Sequence, residues 1–214
     1  MSGDKALSWA FTEEFLAEPP GPARARVLAE EFALRPIPRG TGAALRMLAA
    51  ATGAHAVAEI GTGTGTATAW LAMGMAPDGV LTSIDVEAEY QTAAREVLQF
   101  MGIKNAQARL ITGRALDVLP RLAGGSYDLV FVDGDPEETP EYAAHALRML
   151  RPGGLLAIEG ALGGDQVPDP ARRDPQTVRM RELVRVFRDA EDLTTTLLPC
   201  GDGLLVAVKK PPLR

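Results

Sequence analysis

Glu59-Ile60-Gly61-Thr62-Gly63-Thr64-Gly65 is the run of this chain best suited to hold a ligand. Alternate glycines allow turns that a side chain forbids and let a ligand approach the main chain closely; a helix starting just beyond would aim its free N–H groups at the same place. Twenty residues past Gly65 stands Asp85, whose carboxylate can accept hydrogen bonds from both hydroxyls of a ribose. A dinucleotide site wants Gly-x-Gly-x-x-Gly, but Thr66 occupies the place of the third glycine. That fingerprint is broken, and an NAD-dependent oxidoreductase is kept as the rival enzyme class.

Further along, Gly113-Arg114-Ala115, Asp133-Gly134-Asp135 and Glu159-Gly160 each follow an apolar run. Carboxylates brought together repel, so Glu59, Asp85, Asp133, Asp135 and Glu159 around one crevice imply a cationic occupant. A sulfonium-bearing cofactor, a bound divalent cation or both would supply that charge.

The elements that must position these residues follow from the pattern of apolar runs. Short runs at Ala56–Ile60, Gly79–Asp85, Ala108–Thr112, Tyr127–Asp133 and Gly154–Glu159 read as strands buried on both faces. Helical patterns lie between them, over Thr66–Met75, Ala88–Met101, Ala115–Leu122 and Thr139–Leu150, the last stopped by Arg-Pro-Gly-Gly. A helix over Gln176–Ala190 leads into a hairpin of Leu193–Leu198 and Leu204–Lys209 turned at Gly201-Asp202-Gly203. The expectation is α/β: a Rossmann-like seven-stranded, mostly parallel sheet with helices on both faces and an antiparallel C-terminal strand. The whole chain, 1–214, reads as one domain, with residues 1–52 a helical segment covering the site and broken at Pro19-Pro20-Gly21-Pro22. Residues 161–175 form a long loop, of the kind that is usually functional or mobile.

Composition narrows the function. With 46% hydrophobic and 23% charged residues the chain can bury a core. Its net charge of −6, without a basic patch, argues against a nucleic-acid partner. No apolar run approaches the roughly 20 residues of a membrane span, and acidic residues stand in MSGDKALSWAFTEEF where a signal peptide is apolar. A cytoplasmic location is expected. One cysteine, Cys200, and two histidines, His55 and His145, exclude a disulfide framework and a thiolate or histidine-rich metal centre. Both histidines read as surface residues.

The strings AEIGTGTGTATAWLA, LTSIDVEAE, GRALDVLP, SYDLVFVDGDPEETPEY and LRMLRPGGLLAIEGAL together resemble a class I S-adenosylmethionine-dependent methyltransferase. More narrowly they are similar to the catechol and caffeoyl-CoA O-methyltransferase family, from about Pro38 through the closing GDGLLVAVKK. DGDP combined with EGALGG resembles a bacterial, actinobacterial-type branch. The resemblance implies an O-methyltransferase acting on a small phenolic or catechol-like molecule, in a homodimer. It implies that Glu59, Gly61, Thr62 and Gly63 line the methionine portion of S-adenosylmethionine, with Ile37 and Ala67 nearby. Asp85 would hold the ribose and Val86 would touch the adenine. Arg114 and Ala115 would border the adenine edge, Asp135 would lie against the cofactor and Asp133 would face the acceptor.

The departures from that family concern the metal. Its members pair an Asp after the fourth strand with Asp-Asn after the fifth, and carry a Lys in a D-x-D-K motif. Here Asp133 is kept, the pair reads Glu159-Gly160 and the Lys position is Pro136. Two mechanisms stay open. Asp133 and Glu159 could hold Mg²⁺ with water completing its shell, or Asp133 or Asp135 could take the acceptor proton without a metal, directly or through water. A protein that binds the cofactor with little or no turnover is the third reading. Two features of the flanks complete the expectations. Arg172 or Arg173 of the long loop could pair with an acidic substrate group, although a solvated loop is the stronger reading. Trp9, Phe11 and Phe15 could contact the acceptor or, more simply, pack in a core or interface.

Overall fold

The computed structural model describes residues 3–212. Seven strands form one sheet in the order β3-β2-β1-β4-β5-β7-β6. They are β1 (Ala56–Ile60), β2 (Val80–Asp85), β3 (Ala108–Thr112), β4 (Tyr127–Val132), β5 (Leu150–Ile158), β6 (Leu193–Leu198) and β7 (Leu204–Lys209). The first five pair in parallel, and β7 lies antiparallel between β5 and β6, as the sequence predicts.

Period-two alternation divides the central strands between two cores. Ala58, Ile60, Val130, Val132, Leu156 and Ile158 pack on one face. Val57, Leu129, Phe131, Leu155 and Ala157 pack on the other. The first core is closed by α6 (Ala115–Val118), α7 (Thr139–Met149) and α8 (Pro175–Asp189), through residues such as Ala115, Met149 and Phe187. The second is closed by α3 (Arg39–Ala51) and α4 (Thr66–Gly74), through Leu45, Ala49 and the fully buried Trp70. Close helix approach there requires Gly42, since a Cβ at that position would run into the Trp70 indole. Of the remaining helices, α2 (Pro20–Glu31) packs on α4 and on α5 (Ala88–Phe100), and α1 (Gly3–Glu13) lies against α3.

Two boundaries differ from expectation for local reasons. The helix expected over Ala115–Leu122 stops at Val118 and gives way to a 3₁₀ turn, Leu119–Arg121, because Pro120 brings no N–H. Arg-Pro-Gly-Gly ends α7, and the residues then run within β5. Register shifts between Tyr127 and Leu129 of β4, so that Leu150 and Leu155 pair on either side of the irregular stretch.

Candidate functional site

The strand ends of β1, β2, β4 and β5 open onto three neighbouring cavities that share Asp133 in their walls, the place where open α/β sheets bind ligands. A loop cavity of about 190 Å³ lies over the glycine run, walled by Gly61, Thr62 and Gly63 and roofed by Leu34, Arg35 and Ile37. A strand-end cavity of about 490 Å³ lies over β2, between Val86, Arg114, Ala115 and Asp135. The third, of about 230 Å³, lies between the end of β5 and α8, with Glu159, Gln166, Thr177 and Met180 in its wall. Asp85 lines the first two cavities, and Asp133 lines all three.

Local geometry explains the glycine run. Gly61, Gly63 and Gly65 have φ of 91°, 49° and 90°, a region costing other residues roughly 1–2 kcal/mol. A side chain at Gly61 would also strike the main-chain carbonyl of Asp133. The run thereby brings the β1 and β4 ends close enough for one ligand to touch both.

Glu59 departs from the role expected of it. It shares the parity of Val57, so the pleat turns it under α4, where it is fully buried and lines none of the three cavities. Its Oε2 accepts hydrogen bonds from the hydroxyls of Thr68 (2.6 Å) and Ser83 (2.5 Å). Ser83 spends its one proton on Glu59, so Thr62, 2.6 Å from Ser83, donates to it and in turn accepts from Gln91 Nε2 at 2.9 Å. One donor chain therefore runs from Gln91 through Thr62 and Ser83 to Glu59, fixing the Thr62 side chain from behind. Burial, opposed in part by these hydrogen bonds, pushes the Glu59 carboxyl up to about 8.

Asp85 is fixed by main-chain donors. Its Oδ2 accepts the Gly63 N–H at 2.8 Å and its Oδ1 the Glu87 N–H at 3.0 Å, leaving each oxygen a further lone pair toward the cavities. Val86 is exposed beside it. Arg114 donates to Glu138 at 2.6 Å, and the Tyr142 hydroxyl donates to the other oxygen of Glu138, also at 2.6 Å. This trio walls the strand-end cavity. Burial and the hydrogen bond to Glu138 raise the tyrosine, so it stays a neutral donor.

Asp133 is accessible through the crevice, and no hydrogen bond to its carboxyl is found among the described residues. Displacement of bulk water by the surrounding walls, followed by the nearby Glu159 carboxylate, raises it above the ordinary carboxylate range. Glu159 is pushed up to about 7, chiefly by burial. Its Oε1 accepts the Asp202 N–H at 3.2 Å, while Oε2 is buried without a partner. Asp135 Oδ1 accepts the Glu137 N–H at 2.9 Å, and the residue lines the strand-end cavity but not the β5–α8 one.

The residues present offer a metal two carboxylates in one cavity, Asp133 and Glu159, so water would have to complete its shell. Among the described residues no three His, Cys, Asp or Glu side chains converge where they could hold an ion. Gly160, in the place of the family's Asn ligand, has φ of 76° and open space around it. The expected pair of Asp133 and Glu159 is left without a third donor.

Several neighbours of the crevice were not legible as such. Leu34, Arg35 and Pro36 follow α2 and roof the loop cavity, and Tyr90 of α5 joins them. Apolar Leu34 beside two prolines is the signal that could have marked a covering strap. Glu13 anchors α1 by accepting the N–H of Gly40 and that of Gly201, both at 2.8 Å. Arg172 and Arg173 line none of the three cavities, and Arg172 sits 3.9 Å from Asp169. Trp9, Phe11 and Phe15 also stay outside them, and all three are exposed rather than in a core. His55 is a surface residue, with Nδ1 2.8 Å from the Gly53 carbonyl.

Comparison with known proteins adds to this geometry. The sequence profile of the family described as "O-methyltransferase" matches residues 24–210. A Mycobacterium tuberculosis protein named "Probable O-methyltransferase" is 43% identical over 201 residues, covering 94% of this chain and 90% of its own length. The O-methyltransferase TomG from Streptomyces achromogenes, solved in complex with S-adenosylmethionine, aligns with a TM-score of 0.85 at 28% identity. That alignment covers 99% of this chain and all of TomG. A Corynebacterium glutamicum protein of known structure aligns with a TM-score of 0.89 at 30% identity over the full length of both chains.

Proposed function

This chain belongs to the O-methyltransferase family, and from that premise we propose that it methylates a hydroxyl of a small phenolic or catechol-like molecule, with Asp133 taking the proton. S-adenosylmethionine supplies an electrophilic methyl on a sulfonium and leaves as S-adenosylhomocysteine.

In this reading the strand-end cavity takes the adenine, between Val86, Arg114 and Ala115, with Asp135 against the cofactor. Asp85 accepts the ribose hydroxyls. Gly61, Thr62, Gly63, Ile37 and Ala67 surround the methionine portion in the loop cavity, and the β5–α8 cavity takes the acceptor. Glu59 acts from behind, by holding Thr62.

The observation that carries the reading is the position of Asp133 at the junction of the three cavities. A group there touches both the transferring carbon and the hydroxyl that attacks it. As the hydroxyl loses its proton to the Asp133 carboxylate, an oxygen lone pair forms the new C–O bond and the C–S pair returns to sulfur. A raised carboxyl is a better base near neutrality than an ordinary one. Holding the two reactants in line can supply roughly 7–11 kcal/mol of the barrier reduction.

The reading extends to a homodimer, as the resemblance implies, and to a cytoplasmic location, as the sequence reading expects. Leu7 and Phe11 of α1, with Phe15 just beyond its end, are exposed apolar side chains that pairing would cover, and light scattering on the purified chain tests it.

Calorimetric titration with S-adenosylhomocysteine, with and without a catechol, tests the functional reading. Saturable binding of the product, followed by catechol binding to the complex, is expected; no binding of the product would remove the reading.

A further inference from the structure

The floor and the roof of the loop cavity are both fastened to one turn of α2. In the floor, the Thr64 hydroxyl of the glycine run donates to the buried main-chain carbonyl of Ala25 at 2.7 Å. In the roof, the guanidinium of the next residue, Arg26, donates to the Ile37 carbonyl at 2.8 Å. Ala29, one turn further along α2, lines the same cavity.

The roof tie is itself anchored. Arg26 grips the Glu18 carboxylate through Nε, 2.9 and 3.1 Å from its two oxygens, and through Nη2 at 2.8 Å. Arg39, at the start of α3, stands 3.7 Å from the same carboxylate. The Glu18 side chain is only 5% exposed, and a fork of donors on a carboxylate fixes the direction of a guanidinium as well as pairing its charge.

The other end of the roof is set by strain. α2 closes with the Leu34 N–H on the Ala29 carbonyl at 2.9 Å and the Ala33 N–H on the Glu30 carbonyl at 3.1 Å, a motif whose left-handed position usually holds glycine. Here that position is Ala33, with φ of 53°. Such a conformation persists where the surroundings over-determine it. The strap from Leu34 to Ile37 is thus held at one end by the close of α2 and at the other by Arg26.

We propose that Arg26 is a positioning residue for the cofactor: by tying Ile37 to the turn of α2 that also holds Thr64, it fixes the gap in which the methionine portion sits. That the methionine portion lies there rests on the methyl-transfer reading above; the tie itself is a property of the protein. Arg26 lines none of the three cavities, so its effect passes through the strap. A strap already held spares the ligand the entropy of ordering it. The strand-end cavity, where the reading seats the adenine, takes no lining residue from the strap.

The test sets two ligands against three full-length chains. S-adenosylhomocysteine carries the amino-acid portion that 5′-methylthioadenosine lacks. Arg26→Met alone would strand a buried carboxylate, so the variant is Glu18→Gln/Arg26→Met, which removes both charges. Glu18→Gln by itself keeps Arg26, an acceptor for it and its bond to Ile37. By calorimetry the double variant should bind S-adenosylhomocysteine about tenfold or more weakly, the cost of ordering about one residue, and 5′-methylthioadenosine within about twofold of the parent. Glu18→Gln should bind both as the parent does. A general loss of stability would weaken both ligands in step, so the split between them is what a merely structural role would not produce. Parental binding of both ligands by the double variant, loss of both in step, or an equal loss in Glu18→Gln would each overturn the proposal. A parent chain that binds neither ligand would instead remove the methyl-transfer reading.

Hydrogen exchange on the ligand-free chains needs no cofactor and tests the tie directly. Protection of the Ala33 and Leu34 N–H groups should fall in the double variant and hold in Glu18→Gln, while the amides of α4 keep parental protection. Unchanged protection at Ala33 and Leu34 would overturn the proposal whatever the ligands do.

Discussion

The Gly63 N–H is bound to Asp85 Oδ2 at 2.8 Å, so the glycine loop after β1 and the carboxylate ending β2 are one piece of structure. The carboxylate that we propose meets the ribose is thereby held in place by the protein's own main chain, and it holds the loop that walls the neighbouring cavity.

Removal of that carboxylate should therefore do two kinds of damage. Asp85→Ala loses the ribose hydrogen bonds and also frees the N–H groups of Gly63 and Glu87. Affinity for S-adenosylhomocysteine should fall by roughly 1–3 kcal/mol, read by calorimetry. Unchanged affinity would remove Asp85 from the cofactor site.

Gly61 leaves no room for a side chain, because its φ is positive and the Asp133 carbonyl lies against it. Gly61→Ala should lower stability by at least about 1–2 kcal/mol and, by displacing Asp133, depress turnover further than stability. Chemical denaturation and initial rates on the same preparation check both. A variant of parental stability and rate would contradict the packing described for this loop.

Buried Glu59 makes stability depend on pH. Its folded carboxyl is raised from 4.5 to about 8, so the folded chain binds more protons than the unfolded chain between those values, and stability falls as pH rises through that window. Glu159, raised to about 7, acts in the same direction. Glu59→Gln keeps an acceptor for Thr68 and Ser83 but cannot ionise. Its melting temperature should fall less than the parent's between pH 5 and pH 8; parallel curves would refute the buried-carboxyl account.

Much of this site could be read from residue order. The glycine run, Asp85 and Asp133 stand at strand ends that short apolar runs already mark, and β-strand ends on one edge of a parallel sheet must converge. Glu59 was legible in part: its parity with Val57 gives its face, but whether that face is covered by a helix is decided by α4 docking, which spacing does not encode. Leu34, Arg35, Pro36, Tyr90 and Gln91 were not legible, since each reaches the site through the packing of α2 and α5. The direction of Arg114 toward Glu138 and the withdrawal of Arg172 and Arg173 from the crevice are likewise set by tertiary contacts.

Metal removal separates the two mechanisms left open by the sequence. With no three protein ligands converging among the described residues, exhaustive dialysis against chelator should leave methyl transfer within about twofold of its untreated rate, where loss of an essential Lewis acid would cost several kcal/mol. A loss restored by Mg²⁺ would instead mean that Asp133 and Glu159 suffice to hold the ion.

The central claim is that Asp133 serves the transfer rather than cofactor binding. Asp133→Asn is nearly isosteric and cannot take a proton. Turnover of a methylated catechol and affinity for S-adenosylhomocysteine, measured together on this variant, test it most directly. The account predicts a fall in kcat of roughly 10²–10⁴-fold with affinity for S-adenosylhomocysteine near the parent's. A variant that turns over at the parental rate, or one that loses both properties in step, would contradict it.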